Sequence, residues 1–170
     1  QPSERLGASY FSLLHGGQEG AWDVVVGHDS GGPPVLVDGS LADWQNVLNL
    51  VNAGVTNEAA YQAVAALVDL DNLIDYMMLH IFAESEDWPR HNWYVAHRRA
   101  TNGVPGTKFI CSVWDQELTL DRLVRRNRID AGNGTGGAGE QYSPARLYFQ
   151  CRNWPEFRLR FADRVHKHLF

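Results

Sequence analysis

The first half of the chain carries three stretches in which apolar residues recur every three or four positions. The first spans residues 40–51, the second residues 57–67, and the third begins at Asp71 and continues to about Glu84 and Ser85. This spacing is typical of helices that bury one face. We therefore predict three consecutive helices. The third is the clearest, with an apolar face made of Leu73, Ile74, Met77, Met78, Ile81 and Phe82.

Two β-prone runs follow the third predicted helix and flank a turn. Residues 93–100 and 108–113 are rich in aromatic and β-branched residues, and residues 102–106 between them contain Asn, Gly and Pro. This arrangement predicts a β-hairpin. A shorter β-prone run, residues 22–26, lies in an otherwise poorly periodic N-terminal region. The expected fold class is therefore α+β, rich in helix and with one small sheet.

The last third of the chain has a different texture. Residues 131–139 are mostly glycine and other small residues, which predicts a mobile loop, and they lack the Lys-Ser/Thr ending of a phosphate-binding P-loop. Ser143 followed by Pro144 is typical of a helix start. A final helix is predicted over residues 155–170. Its expected core stripe consists of Phe157, Phe161, Val165 and Leu169.

Length and charge narrow the classes of function. A chain of 170 residues suits one domain, residues 1–170, with a substantial core. The formal net charge of −5 argues against a nucleic-acid-binding surface, because phosphate contacts need clustered positive charge. No apolar run is long enough to span a membrane. The expectation is a chain that binds neither nucleic acid nor the membrane interior.

Several groups of residues leave alternatives open. Cys111 and Cys151 suit either a disulfide or two reduced, buried thiols. The arginines within residues 122–128 suggest a solvated face, with contact to phosphate or an acidic substrate as the alternative. His91 and His97 lack a Cys or His partner at zinc-ligand spacing, so we expect surface or core histidines rather than zinc ligands.

The strongest chemical signal lies at the two ends of the predicted hairpin. Asp87 and Asn92 precede its first strand, and Asp115 and Glu117 follow its second. An aspartate can accept or orient the proton of an attacking hydroxyl, while carboxylate and amide oxygens are ligands for Mg²⁺. Each motif alone also fits a capped loop or a solvated turn. Because antiparallel pairing brings the ends of a hairpin together, the two motifs jointly predict a site for Mg²⁺ and phosphate.

The segments that carry these motifs resemble the CotH family of spore-coat-type atypical protein kinases. Residues 86–94 read Glu-Asp-Trp-Pro-Arg-His-Asn-Trp-Tyr, and residues 109–117 end in Trp-Asp-Gln-Glu. Residues 68–76 and 37–44 are similar to the segments that precede these motifs in the family. The resemblance covers roughly residues 20–120, and motif order, spacing and flanking aromatic residues all agree.

The resemblance implies a protein-kinase-like fold, in which this chain is mainly the helical C-lobe with the hairpin carrying the site and without the N-lobe. Asp87 would be the catalytic aspartate. Asn92 and Asp115 would bind ATP through Mg²⁺ or Mn²⁺, and Glu117 would be a further metal ligand or support one. The implied reaction transfers the ATP γ-phosphate to Ser or Thr hydroxyls of a protein substrate. Members are often secreted or attached to spore coats and cell surfaces, so an extracellular location is expected.

The chain departs from the family pattern in three places. His91-Asn92 stands where the family tends to have two asparagines, and Glu117 stands where it has Asp. A kinase N-lobe also supplies a lysine that holds the nucleotide phosphates. No lysine precedes Lys108, and the only other one is Lys167.

These departures leave two alternatives beside the kinase. The missing phosphate-binding lysine favours a non-catalytic pseudokinase that binds a protein or cell-surface partner. The other alternative is a metal-dependent phosphohydrolase that uses Asp87, Asp115 and Glu117, with no protein acceptor.

Overall fold

The computed structural model describes residues 6–120, 127–135 and 139–170. These residues form an α+β fold of six α-helices and four strands, which confirms the predicted fold class. None of the described helices is long and apolar enough to cross a membrane. The helices are α1 (Ala8–His15), α2 (Ala42–Asn52), α3 (Glu58–Leu67), α4 (Leu70–Ala83), α5 (Pro144–Cys151) and α6 (Pro155–Leu169); the strands are β1 (Trp22–Val26), β2 (Val35–Asp38), β3 (Trp93–Arg98) and β4 (Ile110–Val113).

The strands form one antiparallel sheet in the order β2-β1-β3-β4. The predicted hairpin is confirmed, because β3 pairs with β4 and places Trp93 opposite Val113 and Ala96 opposite Ile110. β1 lies on the other side of β3, so the run predicted at residues 22–26 joins the same sheet. The sheet is larger than the hairpin because β2 adds a fourth strand beside β1.

Two elements of the N-terminal region have no counterpart in the sequence prediction. β2 carries three consecutive apolar side chains with similar exposed fractions, 42% at Val35, 41% at Leu36 and 37% at Val37. It therefore lacks the alternation that marks a half-buried strand. α1 has eight residues and buries Ala8 and Phe11, too few to establish a helical period. Both elements form against β1, which supplies the long-range contacts that local sequence does not encode.

Side-chain caps fix the starts of α3 and α4. Asn57 Oδ1 accepts a hydrogen bond of 2.9 Å from the backbone N–H three residues later. Asp69 Oδ1 accepts from the N–H groups of Asp71 and Asn72, both at 3.1 Å. α4 ends at Glu84, which adopts a left-handed conformation with φ 51°. Such caps satisfy backbone groups that a helix end leaves without partners, and the three predicted helices are confirmed.

The two faces of the sheet bury separate apolar clusters. On one face, Trp44 of α2 contacts Trp93 and Phe109, with ring centroids 6.2 Å and 5.2 Å apart. This main core also takes residues from α3, α4 and α5. On the other face, Phe11 of α1 stacks on Trp22 at 5.6 Å. Successive strand residues point to opposite faces, so β1 and β3 contribute to both clusters.

Two predictions about buried faces are wrong. Phe82 at the end of α4 is 72% exposed, and the predicted stripe of α6 is buried at Phe157 but not at Leu169, which is 58% exposed. The second half of α6 is held to α4 by an ion pair between Arg164 and Asp75 instead. Charged contacts at this end replace the apolar packing that the spacing predicted.

Cys111 and Cys151 are both free and buried, so the structure contains reduced thiols and no disulfide between them. Burial raises the pKa of Cys151 to about 12, and it raises the pKa of Cys111 as well. Because the thiolate is the reactive form, both thiols are expected to behave as small apolar residues.

The glycine-rich segment begins as a packed turn rather than as the predicted mobile loop. Ala131 is buried, and the Gly132 N–H donates to the buried carboxylate of Glu140. Gly132 has φ +90°, and a Cβ there would overlap the carbonyl of Ala145, so this position requires glycine. Residues 136–138 lie outside the described part of the chain, as do Arg122, Arg125 and Arg126 of the predicted basic run.

One side chain of α4 takes the place of a strand partner for β4. Asn72 Oδ1 accepts from the Cys111 N–H at 2.6 Å, and Asn72 Nδ2 donates to the Cys111 carbonyl at 3.3 Å. Replacing Asn72 by Ala leaves both backbone groups of the buried Cys111 without these partners. We expect a loss of about 2–4 kcal/mol in the free energy of unfolding, measured by urea denaturation.

The exposed Asn46 of α2 provides a matched control for this prediction. Asn46→Ala should change the free energy of unfolding by less than about 0.5 kcal/mol. Equal effects of the Asn46 and Asn72 substitutions would contradict a role for Asn72 in holding β4.

Candidate functional site

The two motifs at the ends of the hairpin meet as predicted. Asn92 lies immediately before β3, and Asp115 lies two residues after β4. The side-chain amide of Asn92 donates from Nδ2 to the backbone carbonyl of Asp115 at 3.3 Å. This contact uses the amide nitrogen of Asn92 and leaves its oxygen, Oδ1, as the atom able to bind a cation.

Both residues adopt backbone conformations that suit their side chains. Asn92 has φ 60° and Asp115 has φ 53°, so both lie in the left-handed region. Asn and Asp enter this region more readily than other non-glycine residues, because their short polar side chains bond locally. These positions therefore turn the chain out of each strand while still presenting an oxygen-bearing side chain.

Three carboxyl groups influence one another at this end of the sheet. Asp115 and Glu117 share a side-chain hydrogen bond, which raises the pKa of Asp115 and lowers the pKa of Glu117. The negative charges of Glu117 and Asp87 raise the pKa of Asp115 further, while His91 lowers it. Asp115 and Glu117 are both exposed to solvent. Carboxylate and amide oxygens are the ligands that hard divalent cations prefer, so the donor set of Asn92, Asp115 and Glu117 fits such an ion.

Asp87 belongs both to this carboxyl cluster and to a pocket. Its Oδ2 lies 3.7 Å from His91 Nε2, and its side chain remains 32% exposed. A pocket of about 360 Å³ opens beside it, lined by polar and charged residues that include Arg90, Arg128 and Asp130. Asp87 is therefore placed to meet a polar group that enters the pocket from solvent.

A buried polar chain supports the site from beneath, and the sequence analysis did not identify it. His80 Nδ1 lies 2.9 Å from Ser85 Oγ, and Ser85 Oγ donates to Gln116 Oε1 at 2.7 Å. Gln116 Nε2 donates to the Trp114 carbonyl, which fixes the orientation of the amide. Because the Ser85 hydrogen is used towards Gln116, the His80 ring donates from Nδ1. The chain thus connects α4 to the residue between Asp115 and Glu117.

His80 is held as a neutral ring. Its side chain stacks on Trp88 with centroids 4.3 Å apart and planes 5° apart, and Trp88 Nε1 donates to the Tyr76 hydroxyl at 2.6 Å. Burial, and then the positive charge of Arg128, lowers the pKa of His80 from 6.5 to about 3. These three buried side chains, His80, Trp88 and Tyr76, therefore form a rigid base below the segment that carries Asp87.

Backbone hydrogen bonds join the two motif segments into one unit. The Glu86 N–H donates to the Leu118 carbonyl at 2.9 Å, and the Leu120 N–H donates to the Ala83 carbonyl at 2.7 Å. The segment that holds Asp87 and the segment that holds Asp115 are therefore fixed relative to each other. A possible sequence signal for this support was the glutamine between the two acidic residues of the second motif.

Neither lysine of the chain lies at this site. Lys108 precedes β4 by two residues whereas Asp115 follows it by two, so the two lie at opposite ends of the strand. Lys167 is in the last turn of α6. A phosphate-binding lysine is thus absent from the site formed by Asp87, Asn92 and Asp115.

Comparison with protein-family models gives a match to the family described as CotH kinase protein, over residues 34–170. The chain belongs to the CotH kinase family. The match extends the resemblance noted in the sequence, which covered residues 20–120, through α5 and α6 to the end of the chain. Searches of curated proteins and of solved structures returned no match.

Membership of the CotH family indicates the class of reaction but not which residues carry it out. The family supports kinase-like activity and the use of ATP with a divalent metal. The residues that would carry this activity are inferred from the geometry of the site.

The buried neutral state of His80 generates a prediction about stability. In the unfolded CotH chain His80 binds a proton below about pH 6.5, whereas in the folded chain it stays neutral down to about pH 3. The unfolded state therefore binds more protons in this window, so stability falls as the pH falls. Between pH 6.5 and pH 5 the contribution of His80 is a loss of about 2 kcal/mol.

The measurement is the free energy of unfolding at pH 7 and pH 5 by urea denaturation. His80→Asn keeps a donor near Ser85 but does not titrate, so it should lose less stability on acidification than the wild type. The control is His166→Asn, a substitution at an exposed position of α6. If His80→Asn and the wild type lose equal stability between these pH values, the assignment of a neutral buried His80 is wrong.

Proposed function

We propose that this CotH-family chain carries the catalytic aspartate and the metal ligands of a protein kinase, which transfers the γ-phosphate of ATP to Ser or Thr hydroxyls of a protein. The observation that carries the proposal is the contact between Asn92 and Asp115, which gathers the two motifs into one set of oxygen ligands. Family membership supplies the reaction class.

Asn92, Asp115 and Glu117 are proposed to hold Mg²⁺ or Mn²⁺ with the nucleotide phosphates. Asn92 offers Oδ1, because its Nδ2 is engaged with the Asp115 carbonyl. The interaction between the Asp115 and Glu117 carboxyl groups, which raises the pKa of Asp115, supports the same assignment, because a divalent cation would offset the repulsion between the two carboxylates. When bound, the metal supplies positive charge to the phosphate oxygens.

Asp87 is proposed to act on the acceptor hydroxyl. In the transfer, the hydroxyl oxygen bonds to the γ-phosphorus, the bond from that phosphorus to the oxygen of ADP breaks, and the hydroxyl proton passes to Asp87. The partial exposure of Asp87 beside the polar pocket supports access by a side chain of a protein substrate. His91 Nε2 lies 3.7 Å from this carboxylate, which is too far for a hydrogen bond.

The phosphate-binding lysine of a kinase is proposed to come from an N-lobe outside residues 1–170. Both lysines of this chain lie away from Asp115, which supports that assignment. The same observation favours a second candidate function, a pseudokinase that uses this surface to bind a protein or cell-surface partner. We also propose an extracellular or coat-associated location, and this part of the proposal rests on family membership alone.

The full-length gene product incubated with labelled ATP and Mg²⁺ or Mn²⁺ tests the kinase proposal. We expect phosphorylated Ser or Thr on protein, and Asp87→Asn should lower kcat by about 10²- to 10⁴-fold, because it removes the proton acceptor. Asp115→Asn should instead lower the affinity for the metal ion, so that a higher metal concentration is needed for activity. Asp163→Asn, an exposed carboxylate of α6, is the matched control and should change neither.

Two outcomes would replace the kinase with an alternative. Release of phosphate from ATP without labelled protein would establish the phosphohydrolase that uses Asp87, Asp115 and Glu117. Metal binding without any turnover of ATP would establish the non-catalytic binding module.

The raised pKa of Asp115 predicts that metal binding depends on pH. The pKa of Asp115 is raised above the ordinary value of 3.8, so protons compete with a metal ion for this carboxylate to a higher pH than for an ordinary aspartate. Affinity for Mn²⁺, measured by calorimetry, should therefore be weaker at pH 5 than at pH 7. Glu117→Gln removes the partner that raises the pKa and should reduce this difference. A difference that is unchanged in Glu117→Gln would contradict the coupling.

A further inference from the structure

We propose that Asp23, Asp43 and His97 form a second metal site, which binds Zn²⁺ and is separate from the nucleotide site. His97 Nε2 lies 3.0 Å from Asp23 Oδ2 and 3.2 Å from Asp43 Oδ2, and the three ligand atoms all lie within 4.8 Å of one another. His97 is in β3, five residues beyond Asn92, which separates the two sites by about 16 Å along the strand.

The distances match the edges of a tetrahedral zinc site. Zinc binds imidazole nitrogen and carboxylate oxygen at about 2.0–2.2 Å, so neighbouring ligand atoms in a tetrahedron are about 3.3 Å apart. The two distances from His97 Nε2, 3.0 Å and 3.2 Å, are within a few tenths of an ångström of this value. Small side-chain adjustments would therefore admit the ion.

Two of the three ligands are held by their surroundings. Asp23 is fully buried, and its other oxygen, Oδ1, accepts from the Ser40 N–H at 2.7 Å and from the Arg99 guanidinium. These bonds leave Oδ2 directed at His97. The His97 ring packs on Phe109 with centroids 4.1 Å apart, which fixes its plane. Metal ligands in proteins are typically oriented by such outer contacts.

The charges also favour a cation. A ring nitrogen carries at most one hydrogen, yet His97 Nε2 faces oxygens of both Asp23 and Asp43. Arg99 supplies one positive charge against the two carboxylates. The two carboxylates and Arg99 together carry a net charge of −1, which attracts a dication to the position between the three ligands. A mixed set of imidazole and carboxylate suits zinc better than magnesium.

The placement gives the ion a structural role and an entry route. Asp23 is on β1, Asp43 is in the first turn of α2 and His97 is on β3, so one ion would tie the helix to two strands. The Asp43 side chain is 55% exposed, so water can occupy the fourth position and the ion can enter from solvent.

The test is titration of metal-free protein with Zn²⁺ by calorimetry, together with thermal unfolding. We expect one Zn²⁺ per chain at this site and a higher melting temperature in its presence. Asp43→Asn changes an exposed ligand with nearly the same shape, and it should weaken Zn²⁺ binding by at least roughly tenfold. Circular dichroism without metal checks that this variant folds.

Two controls separate this site from others on the chain. Asp115→Asn alters the proposed nucleotide site, and His91→Gln removes the imidazole beside Asp87; both should retain the Zn²⁺ site with unchanged affinity. Loss of Zn²⁺ binding in either control, with retention in Asp43→Asn, would place the ion elsewhere and overturn the proposal.

A measurement on the wild type keeps the test independent of any variant. Nitrogen-15 NMR of the histidine rings should show the His97 Nε2 resonance shift on addition of Zn²⁺, but not on addition of Mg²⁺. An unchanged His97 ring that carries hydrogens on both nitrogens would show an imidazolium paired with two aspartates, and the zinc site would be refuted.

Discussion

The register between β3 and β4 is the constraint on which the candidate site depends. Because Trp93 lies opposite Val113, Asn92, one residue before β3, and Asp115, two residues after β4, lie at the same end of the sheet. A shift of one residue would turn every side chain of a strand to the other face. Contacts on both strands fix this register. In β3, Trp93 is fully buried in the main core, and in β4, Asn72 binds both the N–H and the carbonyl of Cys111.

The candidate site consists of an exposed layer of carboxyl groups and a buried layer of residues that support them. The carboxyl groups that would meet ligand lie towards solvent, while the groups that position them, His80, Ser85 and Trp88, are buried. The hydrogen bonds from His80 to Ser85 and from Ser85 to Gln116 lie away from bulk water, where hydrogen bonds are electrostatically stronger. The exposed residues are thus free to exchange a proton, a cation or a substrate without loss of their positions.

Short-range pattern predicted the helices and the hairpin because their signals are local. The apolar period of α4 and the turn between β3 and β4 can each be recognised within one short segment. The convergence of Asn92 with Asp115 follows from the same hairpin. The features that the sequence did not predict depend on distant partners. β2 forms against β1, and the exposure of Phe82 depends on where α6 contacts α4. The hydrogen bonds from His80 through Ser85 to Gln116 were not predicted either, because no spacing rule links the end of α4 to a residue that follows β4. The glutamine between Asp115 and Glu117 was the one sequence signal for them.

The two edges of the sheet are treated differently. Along β4, the connection between α3 and α4 covers the edge. The Phe109 N–H donates to the Leu67 carbonyl, the Asp69 N–H donates to the Phe109 carbonyl, and Asn72 binds both backbone groups of Cys111. β2, at the other edge of the described sheet, presents Val35, Leu36 and Val37 partly to solvent. Open strand edges are templates for a further strand. We therefore expect a further strand, from a peptide or in aggregation, to pair with β2 rather than with β4, at the edge of the sheet opposite the candidate site.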